Sequence, residues 1–402
     1  MFRPHPSFAA AAVIALVSGS PVMLSGLQSG SATEVPEAVR TPTRVPGVEN
    51  VATAAVGEHF FVVARTDGSV MTWGYNNYGQ LGNGQVGPMA GSERGRTMPF
   101  VVQGRPGQVP GLSDVVSVAS GAGHALAVKR DGTVWGWGSN GSGQLGLGRT
   151  VRTPTPRPVQ IPGVTGARAV AARNDASYAV LNDGRVLAWG DRLWRANNRA
   201  VSSETPVPVP NVSNVVAISA GLPVLALQRD GCVLAWGNGY LGDGSPAQRD
   251  YASVVVSQPA TVQGIDDAVA VASGSSTAGV VRRDGTVWVW GDDNLGALGL
   301  GRPAPGQTER LAPVRVPGIT GAVDLALAAG SSIVGADGSL RTWGDARLGA
   351  TGRAGINRVA SPSPVPGATG LVHVWASAYS NLALTRDGHL LAWGSVLLTL
   401  PN

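Results

Sequence analysis

The sequence predicts an all-β chain, a seven-bladed β-propeller of four-stranded antiparallel blades. Three observations carry that expectation. A unit Asp-Gly-x4-Trp-Gly occurs seven times, with its tryptophan at Trp73, Trp137, Trp189, Trp236, Trp290, Trp343 and Trp393. Asp precedes Trp by six residues in every copy, whereas successive Trp residues lie 64, 52, 47, 54, 53 and 50 positions apart. A fixed core with elastic spacing describes rigid hairpins joined by adjustable loops, and self-similarity at about 50 residues marks a propeller. Gly and Pro account for 57 and 28 of 402 residues. That density excludes coiled coils and helical bundles, because each Gly costs about 1 kcal/mol and each Pro about 3 in a helix interior. With 43% hydrophobic and 14% charged residues, the composition is not that of a disordered chain. The Gly residues have no three-residue period, which excludes collagen.

Each unit reads as four short strands. The first is a Pro-x-x-Val segment, as at Pro42–Val45, Pro99–Val102, Pro156–Val159, Pro259–Val262 and Pro313–Val316. Proline suits an edge strand because it has no N–H to give to the ladder. A Pro-Gly turn often follows, as at Pro46-Gly47 and Pro162-Gly163. The second strand is an aliphatic run such as Val115–Ala119, and the third is typified by Ala125–Val128. Asp-Gly then supplies a two-residue hairpin turn. The fourth strand, typified by Thr133–Trp137, alternates apolar residues. The seven repeat tryptophans are expected to pack between blades. Each would bury about 200 Å², a few kcal/mol at about 25 cal/mol/Å².

The N-terminus reads as an export signal over residues 1–32, leaving 33–402 for the propeller. Arg3 and His5 precede an apolar run from Phe8 to Val17, and Gly30-Ser31-Ala32 offers small residues for cleavage. Ten apolar residues are too few to span a bilayer, so no membrane span is expected in the mature form. This places the protein outside the cell or in the cell envelope. Cys232 is the one cysteine, so no internal disulfide can form. The formal charge is +5, with Lys129 the one lysine and the arginines scattered without a basic run. That pattern argues against nucleic acid as a partner.

The repeats carry more than tryptophan. The second unit reads Val118-Ala119, Gly121, His124, Ala125-Leu126, Asp131-Gly132, Trp137-Gly138-Ser-Asn140 and Gly143-Gln-Leu-Gly-Leu-Gly148. The first contains Trp73-Gly74-Tyr-Asn76 and Gly79-Gln-Leu-Gly82, and the fifth Trp290-Gly291, Asn294, Gly296 and Leu298-Gly299. The chain thereby resembles the regulator of chromosome condensation repeat family, as an exported, bacterial-type member. The resemblance covers the whole mature chain and implies a seven-bladed propeller. It weakens in the third unit, which reads Asp191-Arg-Leu-Trp-Arg195, and in the fourth, shortened to Tyr240-Leu-Gly-Asp-Gly244. The founder of the family is a nuclear exchange factor for a small GTPase, so the resemblance implies an exchange-factor-like regulator as one alternative. A polysaccharide-active propeller enzyme is another.

No catalytic constellation assembles in the sequence. Of the five histidines, His124 alone stands at the repeat position, which Phe60 occupies in the first unit. No histidine pair has metal spacing, and no phosphate loop opens a helix. The adjacent pairs Asp266-Asp267 and Asp292-Asp293 are too few for a calcium site. We therefore expect no enzyme, no cofactor and no metal, but a monomeric binding scaffold for a protein or a cell-surface polymer.

The binding face is legible from loop lengths. In an antiparallel blade alternate loops share a face. The Asp-Gly and Pro-Gly turns are short and nearly constant, and are expected to contribute little. The other face varies: 24 residues separate Gly74 from Pro99 but 17 separate Gly138 from Pro156. Variable loops on a fixed scaffold are where specificity resides. That face should present Tyr75, Tyr78, Arg192, Trp194, Arg195, Tyr240, Asp292, Asp293 and Arg347, of which Tyr, Trp and Arg are common interface anchors. Trp194, flanked by Arg192 and Arg195, is the one tryptophan expected in a long loop.

Overall fold

The computed structural model describes residues 39–87, 92–93, 96–97, 102–148, 153–196, 199–245, 259–301, 308–353, 356–378 and 380–396. The expected export signal, residues 1–32, lies outside them. Seven four-stranded antiparallel sheets are present. Blade 1 runs through Val51–Val56, Phe60–Arg65, Val70–Tyr75 and Val102–Gln108. Blade 2 comprises Val115–Ser120, His124–Lys129, Val134–Gly138 and Thr155–Gln160. Blades 3 to 6 repeat this meander from Ala167, Val215, Ala268 and Ala322. The first strand of each blade touches the first strand of the next all the way round, blade 7 against blade 1 included. First strands therefore encircle the axis, and fourth strands lie outermost.

Blade 7 joins the two ends of the described chain. Its first three strands are Leu371–Ala376, Ser380–Thr385 and Leu390–Gly394, and its outer strand is Val39–Arg44. The Pro-x-x-Val strand therefore ends a blade and does not begin one, which corrects the order expected from the repeat. Its register also changes in two units. The valine or isoleucine that closes each outer strand is Val45, Val109, Ile161, Val209, Val262, Val316 or Val365. Each donates its N–H to a carbonyl at the start of the third strand, at 2.8–2.9 Å. Every one follows a proline by three positions. Pro106–Val109 and Pro158–Ile161 are thus the true segments in blades 1 and 2, in place of Pro99–Val102 and Pro156–Val159. Pro99 itself lies outside the described residues.

The seven repeat tryptophans are fully buried. Five of them hold adjacent blades together through a hydrogen bond. The indole N–H of Trp137, Trp189, Trp290, Trp343 and Trp393 donates to the carbonyl of Gln80, Gln144, Tyr240, Ala297 and Ala350 respectively, each in the loop of the preceding blade, at 2.8–3.1 Å. Two residues after the acceptor stands a glycine in the left-handed region. A Cβ on Gly299, at φ +69°, would come within 2.9–3.0 Å of the Trp343 ring. The Gly-x-Leu-Gly motif is therefore a platform for the neighbouring tryptophan.

Each inner strand also carries a β-bulge near its start, at Ala52, Val116, Arg168, Val216, Val269, Val323 and Val372. A bulge leaves its extra residue unpaired and bends the strand. These bulges fall at the axial edge of every blade, on the face of the Asp-Gly turns.

Candidate functional site

The loops after the first and third strands form the face opposite those turns. The loop after Trp-Gly is held by its second residue. The side-chain oxygens of Asn76, Asn140 and Asp293 accept the N–H of Leu81, Leu145 and Leu298 at 3.1, 2.8 and 2.9 Å. The chain then turns through Gly79, Gly143, Gly296 or Gly349, all at positive φ. The residue just before that glycine is pushed outward. In three blades it is a large apolar group: Tyr78 is 38% exposed, Leu295 45% and Leu348 39%. In blade 2 it is Ser142. Sequence reading found Tyr78 but missed Leu295 and Leu348. The missing signal was register: each stands five residues after its repeat tryptophan.

The expected site residues divide. Tyr78, Arg192 and Arg347 are exposed on this face. Tyr75 is half-buried, with its ring 4.9 Å from that of His59. Asp292 is half-buried and accepts from the backbone and side-chain nitrogens of Asn294 at 3.0 and 2.9 Å. Arg347 grips the buried Asp345 carboxylate at 2.6 Å. Arg195 lies in a described strand, but its side chain falls outside the described residues.

Three expectations are corrected by burial. Trp194 is not in a loop: it lies in the strand Val186–Ala196, pairs with Val201, and packs in the apolar cluster that contains Trp236. The departure of the third unit from Gly-Gln-Leu-Gly lengthens a hairpin there, and Leu193 and Trp194 are buried within it. Tyr240 is buried because it stands at the platform position that receives Trp290. Asp293 is fully buried because it does the loop-holding work of Asn76 and Asn140.

Acidic groups missed from sequence gather at blades 1 to 3. Burial raises the pKa of Glu58, and the Asp175 charge raises it further. Asp175 is itself raised, chiefly by burial, with Asp191 adding to the effect and a hydrogen bond from Ser142 opposing it. Gln144 Nε2 donates to Asp175 Oδ1 at 2.8 Å. Glu58 comes from blade 1 and Asp175 from blade 3, so no spacing in the sequence announces their approach. These like charges create a locally electronegative spot in a chain of net positive charge.

Among the described residues no group of three or more His, Cys, Asp or Glu could hold a metal ion. Asp266 and Asp267 are both engaged by Arg282, at 3.2 and 2.5 Å. Among the same residues no helix is long and apolar enough to cross a membrane.

Comparison with known proteins returns the repeat. The regulator of chromosome condensation (RCC1) repeat matches residues 67–128, 131–180 and 284–336, and a second model of that description matches 51–80 and 115–144. The human E3 ubiquitin-protein ligase HERC2 is 32% identical over 297 residues, covering 67% of this chain and 6% of the ligase. The Arabidopsis thaliana ultraviolet-B receptor UVR8 is 29% identical over 298 residues, covering 70% of this chain and 65% of the receptor. The chain thus spans less than two thirds of the length of either relative. Among solved structures, human WBSCR16 superposes with a TM-score of 0.69 at 21% identity, covering 96% of this chain and 98% of its own. Yeast RCC1 (Prp20), solved bound to Kap60, gives 0.68 at 20% identity, covering 96% and 89%. These two likenesses are of fold.

Proposed function

From a seven-bladed propeller that carries regulator of chromosome condensation repeats, we propose that this chain is a non-catalytic scaffold that docks a partner on its variable-loop face. The observation that carries the reading is the repetition of an exposed apolar side chain, Tyr78, Leu295 and Leu348, at one loop position. Apolar groups lifted clear of a packed scaffold in this way are suited to becoming buried anchors in a complex. The Glu58, Asp175 and Asp191 charges on the same face favour a protein partner with a basic segment, since opposed potentials steer association. Related propellers support protein contact as a role: yeast RCC1 was solved bound to Kap60, and the Prp20p structure was described with its binding to Gsp1p and histones. The first 32 residues extend the proposal to an exported protein acting at the cell envelope or beyond it, as a monomer.

Photo-crosslinkers placed at Tyr78 and Leu348 test the docking face, with one at Ser361 on an outer strand as control. The reading expects the same partner attached at the first two positions and not at the third. Equal labelling at all three would defeat it. Export is tested separately by the intact mass of the native protein, which should lack about thirty residues.

A further inference from the structure

On the opposite face, the bulged inner-strand residues form a rim around the propeller axis. We propose that this rim is a second docking surface, built for a partner segment in which aliphatic residues alternate with carboxylates. The inference is independent of the variable-loop reading, because it rests on other residues on the other face.

A bulge at a sheet edge re-aims its side chain. In five blades the re-aimed residue is valine: Val116, Val216, Val269, Val323 and Val372. Valine is among the residues that folds most often bury. At three of these five points the valine is exposed, Val116 at 39% and Val269 and Val323 at 47% each, whereas Val216 and Val372 are half-buried and lean on the core. Between blades 5 and 6, Val269 and Val323 line an open depression of about 440 Å³ together with Arg283.

Charge repeats with the valines. In four of the five valine blades, the residue before the Asp-Gly turn is an exposed arginine: Arg130, Arg229, Arg283 or Arg386. Its backbone N–H donates to the carbonyl of the residue two positions before the bulge, at 2.8–3.0 Å, which fixes each arginine beside its valine. Blades without a bulged valine have Thr66 and Asn182 there instead. Among the described residues these four arginines make no ion pair. Asp284 lines the same depression, but the turn aspartates are tied into their own turns. Asp131 and Asp284 accept hydrogen bonds from Thr133 and Thr286 inside their own turns. Arg282 is occupied by Asp266 and Asp267, which leaves Arg283 over. Burial lowers the Arg168 pKa, and the nearby Arg229 charge lowers it further, a repulsion that an incoming carboxylate would relieve.

Four exposed arginines and three exposed valines around one rim, paired directly at Val116 with Arg130 and at Val269 with Arg283, ask for a complementary segment: apolar side chains for the valines and carboxylates for the guanidinium groups. Arginine is suited to this because its planar fork accepts a carboxylate in bidentate fashion. The near-constancy of the tight turns suggested a featureless face. The rim shows that the constant element is the turn backbone, while its side chains form a pattern.

The test uses the full chain and a fluorescein-labelled peptide of alternating Glu and Val, read by fluorescence anisotropy. Two control peptides replace Glu by Gln, or Val by Ser. Vesicles of equal parts phosphatidylserine and phosphatidylcholine report a membrane surface instead. The proposal expects binding of the Glu-Val peptide alone, weakened by salt as exposed charges are screened. Arg229→Ala with Arg283→Ala should weaken it at least about tenfold, with Arg→Lys at both positions recovering part of the loss. Val269→Ser with Val323→Ser should weaken it at least about fivefold, and Tyr78→Ala should leave it unchanged. Thermal melts of these surface variants should match the parent. No binding of the Glu-Val peptide, equal binding of the Gln peptide, vesicle binding in its place, or affinity unmoved by either double variant would each overturn the proposal.

Discussion

The indole nitrogen of Trp189 donates to the main-chain carbonyl of Gln144, 2.9 Å away and one blade earlier. A motif written in one repeat is therefore used in the next. This explains why the tryptophans are both the largest buried groups and the joints of the ring.

Truncating a joint should cost what a buried tryptophan costs. Trp137→Ala and Trp290→Ala should each destabilise the fold by about 3–5 kcal/mol, measured by urea titration. A loss under about 1 kcal/mol at both would be incompatible with their burial.

The joints are not equal. Trp236 is buried, but its indole nitrogen has no acceptor among the described residues. The platform is missing because the blade before it carries the long hairpin in place of Gly-Gln-Leu-Gly. Trp137, by contrast, bonds the Gln80 carbonyl at 2.9 Å. Trp→Phe removes the donor and keeps most of the apolar surface. Trp137→Phe should therefore cost about 1 kcal/mol more than Trp236→Phe, the net worth of one hydrogen bond. Equal losses in paired denaturant titrations would show that the bond contributes nothing.

These contrasts mark what the sequence discloses. Trp-Gly and Asp-Gly are local signatures, so blade number and the two hairpin faces were legible. Strand membership was not, because a circular fold has no natural first strand and the pairing of Val39–Arg44 with Leu390–Gly394 is between the two ends of the described chain. Pro99 and Pro106 both satisfy Pro-x-x-Val. Three-dimensional register selects the second, through the Val109 N–H on the Val70 carbonyl. Trp194 was misplaced because two arginines around it suggested solvent, although its partner Val201 would have suggested a strand. Leu295 and Leu348 were passed over because a lone leucine carries no motif. Glu58 and Asp175 meet across blades, which no local pattern encodes.

Two histidines should give the stability opposite slopes in pH. His124 is fully buried with Nε2 2.8 Å from Ser177 Oγ, and burial lowers its pKa to about 3 from 6.5. Its contribution is complete above pH 6.5 and declines as the pH falls, since the unfolded chain takes up the proton first. His373 lies 3.4 Å from Asp324 across the first strands of blades 6 and 7. The Asp324 hydrogen bond raises its pKa above 6.5, and the Asp324 charge adds to this against the opposing effect of burial. Its contribution is complete below pH 6.5 and is lost as the pH rises through the raised value. Asp324→Asn should flatten the alkaline decline and leave the acid limb unchanged, by urea titration across the range. An unchanged alkaline limb would show that the pair does not couple to folding.

The docking face yields the last prediction, and Trp194 supplies its internal control. If Trp194 were a surface anchor, its truncation would weaken binding and spare the fold. Its burial beside Tyr178 and Trp236 reverses that expectation. Trp194→Ala should lower the stability of the free protein by about 3 kcal/mol or more, as buried aromatic truncations do. Tyr78→Ala and Leu348→Ala remove exposed groups and should leave the melting temperature nearly unchanged, since surface substitutions usually stay within about 0.5 kcal/mol. Against a captured partner, those two should each cost about 2 kcal/mol or more, the range of interface anchors. Calorimetry of binding and denaturant titration of the free protein, run on the same three variants, separate the effects. Should Trp194→Ala weaken binding without destabilising the fold, while Tyr78→Ala and Leu348→Ala bind normally, the loop position five residues after each repeat tryptophan is not where the partner sits.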